Sequence, residues 1–301
     1  MQRRRRKSRK KPKIVGIIIV LFIIVGLIFA TIKISPFFRS NAATVQRKTS
    51  TSKKVIPKST IPKDKTISLA QIQNTHTLDL VNATYAVSVE PTAAELVPVS
   101  PTIPALSPTI TLKKATLDAV SQLITATKNA VGGTIDVSSG FRNLAEQTQL
   151  YDSATDKSYV QTPGHSEHET GLAVDIAVEN VKDVEDSPQS QYLRANAWKY
   201  GLILRYPADK VQITGISNEA WHFRYIGKIH AWYCNQHNLA YEEYIQFLKN
   251  SGGYTQILDG VSYTVSYQIA KNNELIVPNL EQYEVSSDNT GGYIITSWKA
   301  V

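Results

Sequence analysis

The feature that most limits what this chain can become is a run of nineteen residues, Ile14 to Ile32, without a single charge. At a rise of about 1.5 Å per residue, a helix of that length nearly matches a hydrocarbon core of roughly 30 Å. Residues 1–13 carry nine Lys or Arg and no acid, and a basic flank of this kind stays on the cytoplasmic side. A cleaved signal peptide has a shorter apolar core and a small-residue exit site. Lys33-Ile34-Ser35-Pro36 is not such a site. A buried core helix fits poorly, since nothing polar interrupts the run. The expectation is a cytoplasmic basic segment over 1–13 and an uncleaved, single-pass transmembrane signal anchor over 14–34. Everything beyond is then outside the cell, held at the cell membrane.

Residues 35–75 read as an extracellular linker, rich in Ser, Thr, Lys and Pro, as in Lys48-Thr49-Ser50-Thr51-Ser52-Lys53-Lys54. Such a composition cannot bury enough apolar surface to fold alone. Its positive charge suits anionic wall polymers or lipid headgroups, and a solvated spacer explains it equally well. The net charge of +8 divides unevenly: residues 66–301 carry 15 basic and 24 acidic residues, a balance of −9. An acidic globular part argues against nucleic acid as a partner. Cys234 is the only cysteine, so no intramolecular disulfide is available and a thiolate metal site is disfavoured. It reads as a buried or half-buried packing residue.

The full chain is 42% hydrophobic, ample material for a core. The five prolines Pro91, Pro98, Pro101, Pro104 and Pro108 mark an extended strap. Leu117, Val120, Leu123 and Ile124 repeat at helical spacing within 111–130, and Gly132-Gly133 ends that helix. Strands are expected over 134–138, 171–176, 202–206 and 221–226. Further helices are expected over 144–151, 192–200 and 239–249. Residues 177–190 form an acidic loop. After Gly252-Gly253 the pattern changes to short strands over 263–269, 274–277, 283–285 and 293–298. The predicted division is therefore a domain over 76–252 and a small β appendage over 253–301.

Two segments offer chemistry: Ser166-Glu167-His168-Glu169-Thr170-Gly171-Leu172-Ala173-Val174-Asp175 and Glu219-Ala220-Trp221-His222. A catalytic zinc takes three protein ligands from His, Asp and Glu, and leaves its fourth position to water. It also wants one carboxylate that is not a ligand, to take a proton from that water. His168, Asp175 and His222 suit the first role and Glu219 the second. His168 and Asp175 are too far apart in sequence for adjacent helical turns, but a loop leading into a strand lets them converge. Gly171 permits the tight backbone between them. A lone His is more often a core or surface residue than a ligand; the combination is what points to a site.

Those residues carry a resemblance. Ser166-x-His168-x-x-Gly171-x-Ala173-x-Asp175, followed by Glu219-x-x-His222, resembles the signature of the zinc D-alanyl-D-alanine carboxypeptidases of the VanY group. Ser139-Gly140-Phe141-Arg142 with Gln147 and Leu150 is similar to that group's upstream motif, which usually has Tyr at the Phe141 position. The similarity extends through Ala197 to Pro207 and covers roughly residues 75–300. It implies an α+β fold with a central antiparallel sheet, flanking helices and the zinc site on one face. By the same resemblance His168, Asp175 and His222 bind Zn2+ and Glu219 is the general base. Arg142 would hold the substrate carbonyl and stabilise the oxyanion, while Gln147 and Ser166 would hydrogen-bond the peptide end.

The implied activity is removal of C-terminal D-alanine from peptidoglycan stem pentapeptides by a zinc-activated water, in a monomeric catalytic domain. Competing expectations are an L,D-carboxypeptidase or wall endopeptidase of the same fold, or a non-catalytic cell-wall-binding module. Glu219 speaks against the last, because a binding module has no need of a base. Other residues are assigned away from the chemistry: His165 to the pocket wall or just behind the ligands, Trp221 to core packing, and Tyr206 and Arg224 to strand packing, with pocket lining as their alternative. His76, His230 and His237 are assigned to the surface.

Overall fold

A computed structural model describes residues 64–179, 185–279 and 282–301, which fall within one compact unit, Ser59–Val301. The expected signal anchor and most of the expected linker lie outside the described residues. Among those described, no helix is long and apolar enough to cross a membrane.

The fold is α+β. Its centre is a four-stranded antiparallel sheet of β4 (Ile135–Ser139), β5 (Ala173–Val178), β6 (Leu202–Leu204) and β7 (His222–Tyr225), in the order β4-β5-β7-β6. Strand side chains alternate between faces, and β5 uses that alternation to serve two purposes. Val174, Ile176 and Val178 join the core beneath α1 (Lys114–Val131) and α3 (Pro188–Asn196), together with Phe223 of β7. The residues between them, Ala173, Asp175 and Ala177, belong to the other face. Every residue of β5 is buried, so both faces are covered.

The helix α1 forms as its spacing predicts, with Leu117, Val120, Leu123 and Ile124 all buried against the sheet. Burying each such side chain contributes about 1.5–3 kcal/mol. Gly132 stops it at φ +67°. The second helix, α2 (Leu144–Ser153), starts at Asn143, whose side chain accepts from the Glu146 N–H while the Glu146 carboxylate accepts from Asn143 N–H. This reciprocal box satisfies two orphan donors. Ser187 caps α3, and Pro188 occupies its first turn.

The strap over 91–110 contains the short strand β2 (Leu96–Pro98), paired antiparallel with β3 (Thr111–Lys113). A short helix, α4 (Val211–Thr214), lies between β6 and β7. Beyond β7 come α5 (Lys228–His237) and α6 (Tyr241–Ser251); α5 was not expected. It lacks a clean apolar period, and its start is set by Gly227 at φ +84°.

The C-terminal strands are β8 (Gly253–Leu258), β9 (Val261–Gln268), β10 (Glu274–Val277), β11 (Tyr283–Ser287) and β12 (Tyr293–Ala300). Four make an antiparallel sheet in the order β11-β12-β9-β8. A second core joins this sheet to α5 and α6 through Tyr241, Tyr244, Leu248, Val265 and Ile294. Two expected boundaries move as a result. Lys65–Ser68, placed in the linker by composition, is a strand (β1) paired antiparallel with β10. A short polar strand is invisible to composition, because only its partner makes it one. The β region is likewise continuous in packing with residues 78–80 and the helices, not a separate appendage.

Candidate active site

The sheet register lines up the chemistry. Ser139 of β4 lies opposite Asp175 of β5, which lies opposite His222 of β7. The ladder is irregular between Val137 and Ser139, a distortion of the kind that re-aims side chains near active sites. His168 arrives from a 3-10 turn, Glu167–Thr170, whose start is Ser166 and whose end is Gly171 in the left-handed conformation, φ +69°. The Glu169 carboxylate accepts from the N–H groups of Ser166 and Gly164 at 3.0–3.1 Å. Thus the Ser-x-x-Glu pattern inside the motif is a cap that fixes the turn. A Cβ at Gly171 would lie 3.1 Å from Leu96 Cδ2, a second reason for glycine there. At Gly140 a Cβ would stand 2.5 Å from the Thr111 carbonyl oxygen. That close backbone approach frees the Gly140 carbonyl to face His168.

His168, Asp175 and His222 are all buried, and one ligand atom from each lies within 4.8 Å of the others. The His168 Nδ1 is 2.6 Å from the Gly140 carbonyl oxygen; a carbonyl only accepts, so Nδ1 carries the proton and Nε2 is bare. That bare nitrogen stands 3.3 Å from Asp175 Oδ1. Two acceptors face each other, a repulsive arrangement unless a cation lies between them. Burial, together with Arg142, lowers the His168 pKa to about 4, so His168 does not form an ion pair with Asp175. On the other side His222 Nδ1 is 3.1 Å from the same Asp175 oxygen. Burial opposes a proton on His222, but Asp175 and Glu167 outweigh it and raise its pKa to about 9. A tetrahedral zinc with bonds of roughly 2.1 Å has ligand–ligand edges of about 3.4 Å. The observed 3.1 and 3.3 Å separations and the donor set both fit that ion.

Glu219 Oε2 is 3.6 Å from His222 Nδ1, beside the three and not among them. The cleft that these residues line measures about 230 Å3 and also receives Arg142, Gln147 and Ser166. Arg142 Nη1 donates to Ser139 Oγ at 2.6 Å and its Nε to Gln147 Oε1 at 3.0 Å. Gln147 Nε2 in turn donates to the Gln161 carbonyl at 2.8 Å. Burial lowers the Arg142 pKa, with Asp175 and Glu219 opposing. All seven residues singled out by the sequence therefore meet in one cleft.

The residues assigned away from the chemistry divide between the cleft and the interior. Trp221 is a cleft wall, stacked on Tyr159 with ring centroids 6.2 Å apart, and Tyr206 lines the cleft too. Nothing in the sequence marks Tyr159, which comes from a loop brought in by the fold. His165 points away and faces the Asn82 carbonyl at 2.8 Å. Arg224 is fully buried, 3.0 Å from Glu167 Oε1. His230 is buried between Tyr244 Oη at 2.6 Å and Thr296 Oγ1 at 3.0 Å, and His76 is half-buried against Asp79. His237 is exposed and Cys234 buried, as the sequence suggested. A cavity of about 260 Å3 under the C-terminal sheet, walled by Tyr225, Tyr263 and Trp298, is slightly larger than the cleft. It holds no group of residues able to share a metal, since among the described residues such a group occurs only in the cleft. Chemistry, not size, identifies the site.

Residues 109–228 match the family model VanY, D-alanyl-D-alanine carboxypeptidase. The chain is 34% identical over 241 residues to a D-alanyl-D-alanine carboxypeptidase of Enterococcus faecium, an alignment covering 77% of this chain and 78% of that protein. Its fold resembles the vancomycin-resistance D,D-dipeptidase VanXYg, solved with a D-Ala-D-Ala phosphinate analog, at a TM-score of 0.67 and 30% identity, over 79% of this chain and 99% of that one. It also resembles the LD-carboxypeptidase LdcB at a TM-score of 0.50 and 32% identity, over 56% of this chain and 84% of that one. With the cleft residues above in their motif positions, the chain is a peptidase and belongs to the VanY family of D-alanyl-D-alanine carboxypeptidases.

Proposed function

We propose that this protein is a zinc-dependent D,D-carboxypeptidase that removes the terminal D-alanine from peptidoglycan stem pentapeptides. In this reading residues 14–34 anchor it in the cell membrane and the catalytic domain works outside the cell. The observation that supports it best is the convergence of bare His168 Nε2, Asp175 Oδ1 and His222 Nδ1 beside Glu219. His168, Asp175 and His222 would hold the zinc. When bound, zinc supplies a Lewis acid and brings the pKa of water into the neutral range.

The remaining steps belong to the chain itself. Glu219 accepts the proton of the attacking water on a carboxylate oxygen and later delivers it to the leaving amine. Arg142, held by Ser139 and Gln147, keeps a fixed positive charge at the cleft. There it stabilises the negative oxygen that develops as the peptide carbonyl becomes tetrahedral. Gln147 and Ser166 hydrogen-bond the peptide end. Tyr159 and Trp221 form an apolar wall that excludes water from one side of the bond being cut.

The test is metal content and turnover in wild type, His168→Ala and Glu219→Gln, using stem pentapeptide and tetrapeptide with mass detection of released alanine. We expect His168→Ala to lose zinc and activity together. Glu219→Gln should keep about one zinc per chain while turnover falls on the order of 10²–10⁴-fold. Zinc loss in Glu219→Gln would make Glu219 a ligand. Equal or faster cleavage of tetrapeptide would move the assignment to the L,D class.

A further inference from the structure

Between Ser166 and His168 the motif carries Glu167, whose side chain points away from the substrate cleft and is fully buried. A carboxylate buried without compensation costs several kcal/mol, so its partners reveal its use. Arg205 Nε donates to Glu167 Oε1 at 2.8 Å, and Arg224 Nη1 lies 3.0 Å from the same oxygen. Both guanidiniums are fully buried. Arg205 is fixed from behind by Glu242, which takes both of its terminal nitrogens at 2.6 and 2.9 Å. Arg224 is fixed by the carbonyls of Thr77 and Asp79, each at 3.1 Å. One oxygen of Glu167 is therefore fully employed.

The other oxygen, Oε2, faces His222 Nε2 at 3.5 Å. Neither atom has another hydrogen-bond partner. His222 turns its remaining nitrogen, Nδ1, toward Asp175. Imidazole is thus gripped at both ends: a carboxylate backed by two arginines on one side and the ligand cluster on the other.

We propose that Glu167 is a positioning residue that accepts a hydrogen bond from His222 Nε2–H, so that His222 presents Nδ1 and not Nε2 to the metal. This rests on the metal-site reading given above. A carboxylate behind a ligand histidine fixes its tautomer and ring orientation and raises its basicity, and losing such a partner typically costs 10–100-fold in metal affinity. The arginines keep the carboxylate where the ring needs it. A bond of this charge-assisted kind is usually about 2.7–2.9 Å long; here the two atoms face each other at 3.5 Å, each without another partner.

The test uses the full-length wild-type protein labelled with 15N-histidine and loaded with 113Cd as the probe ion. If cadmium does not bind at all, the metal-site reading fails and this inference falls with it. If it binds, scalar coupling of the metal to His222 Nδ1 with a slowly exchanging proton on Nε2 supports the inference; coupling to Nε2 overturns it. The second arm measures zinc affinity by chelator competition. Glu167→Gln should bind zinc 10–100-fold more weakly. Glu242→Gln, which loosens the same network without touching His222, should stay within about twofold. Equal losses in the two variants, or no loss in Glu167→Gln, would reduce Glu167 to a structural ion-pair member. Should Glu167→Gln fail to fold, the wild-type coupling pattern still decides.

Discussion

The two four-stranded sheets of this molecule are both antiparallel, yet they bury different polar groups: ionisable side chains in the central sheet, hydroxyls such as Ser286, Thr296 and Ser297 in the C-terminal one. In the central sheet β5 is buried along its whole length, and Asp175, His222 and Arg224 are buried with it. In the C-terminal sheet β8 alternates between half-buried and exposed positions, so its polar side chains reach water. A buried polar group must find its partner inside the protein or be lost. The central sheet therefore holds its chemistry in a fixed geometry, and any substitution there is felt. The C-terminal sheet buries no charged side chain on its strands and presents an apolar face centred on Val265 and Ile294. Precision costs tolerance, and this chain concentrates the demand for precision in one sheet.

The largest contrast should come from Arg224→Leu. Removing one cation from a buried charge cluster leaves Glu167 less compensated, which typically costs about 3–5 kcal/mol. We expect chemical denaturation to show a loss of that size and turnover to fall with it. Ile294→Ala in the other sheet should cost somewhat less, about 2–5 kcal/mol by cavity formation. Its turnover, measured below the unfolding transition, should match wild type. A drop in turnover without unfolding would mean that the C-terminal sheet contributes to the site.

The third expectation concerns His230, which joins α5 and α6 to β12 through Tyr244 and Thr296. Burial lowers its pKa from 6.5 to about 3. The unfolded chain therefore binds a proton below pH 6.5 that the folded one refuses. The His230 contribution is nil above that pH and lowers stability as the pH drops toward 3, by about 2 kcal/mol between pH 7.5 and 5. Unfolding of wild type and His230→Gln at several pH values should show two curves that diverge by this amount as the pH falls, since His168 and His222 titrate in both proteins. The smallest effect is expected from Ile257→Thr on the exposed edge strand, 57% exposed. It should lie within about 0.5 kcal/mol and leave activity untouched.

What the sequence made legible follows the same division. His168, Asp175, His222 and Glu219 could be found because His is scarce in this chain and their spacing has few other uses. The α+β character was legible because α1 carries a clear helical period and β5 is a short apolar run. Glu167 was not: its partners Arg205 and Arg224 lie 38 and 57 positions away in sequence, and only the fold brings them together. Trp221 was assigned to packing because an aromatic beside a ligand packs more often than it lines a cleft. β1 escaped because Lys65-Thr66-Ile67-Ser68 has no strand pattern of its own; its pairing with β10 supplies what the local sequence lacks.

The pairing of Asp175 with His222 across β5 and β7 also bears on how errors in assembly are handled. A slip of one residue would send His222 and Arg224 into the layer of Val174, Ile176 and α1, and turn Phe223 toward the cleft. An imidazole and a guanidinium stranded among aliphatic side chains would cost more than a domain's whole margin of stability, about 5–15 kcal/mol. A misregistered chain of this kind cannot persist as a folded but idle enzyme. Faulty molecules should disappear into aggregates or proteolysis, so a damaged population loses yield while the survivors keep full specific activity.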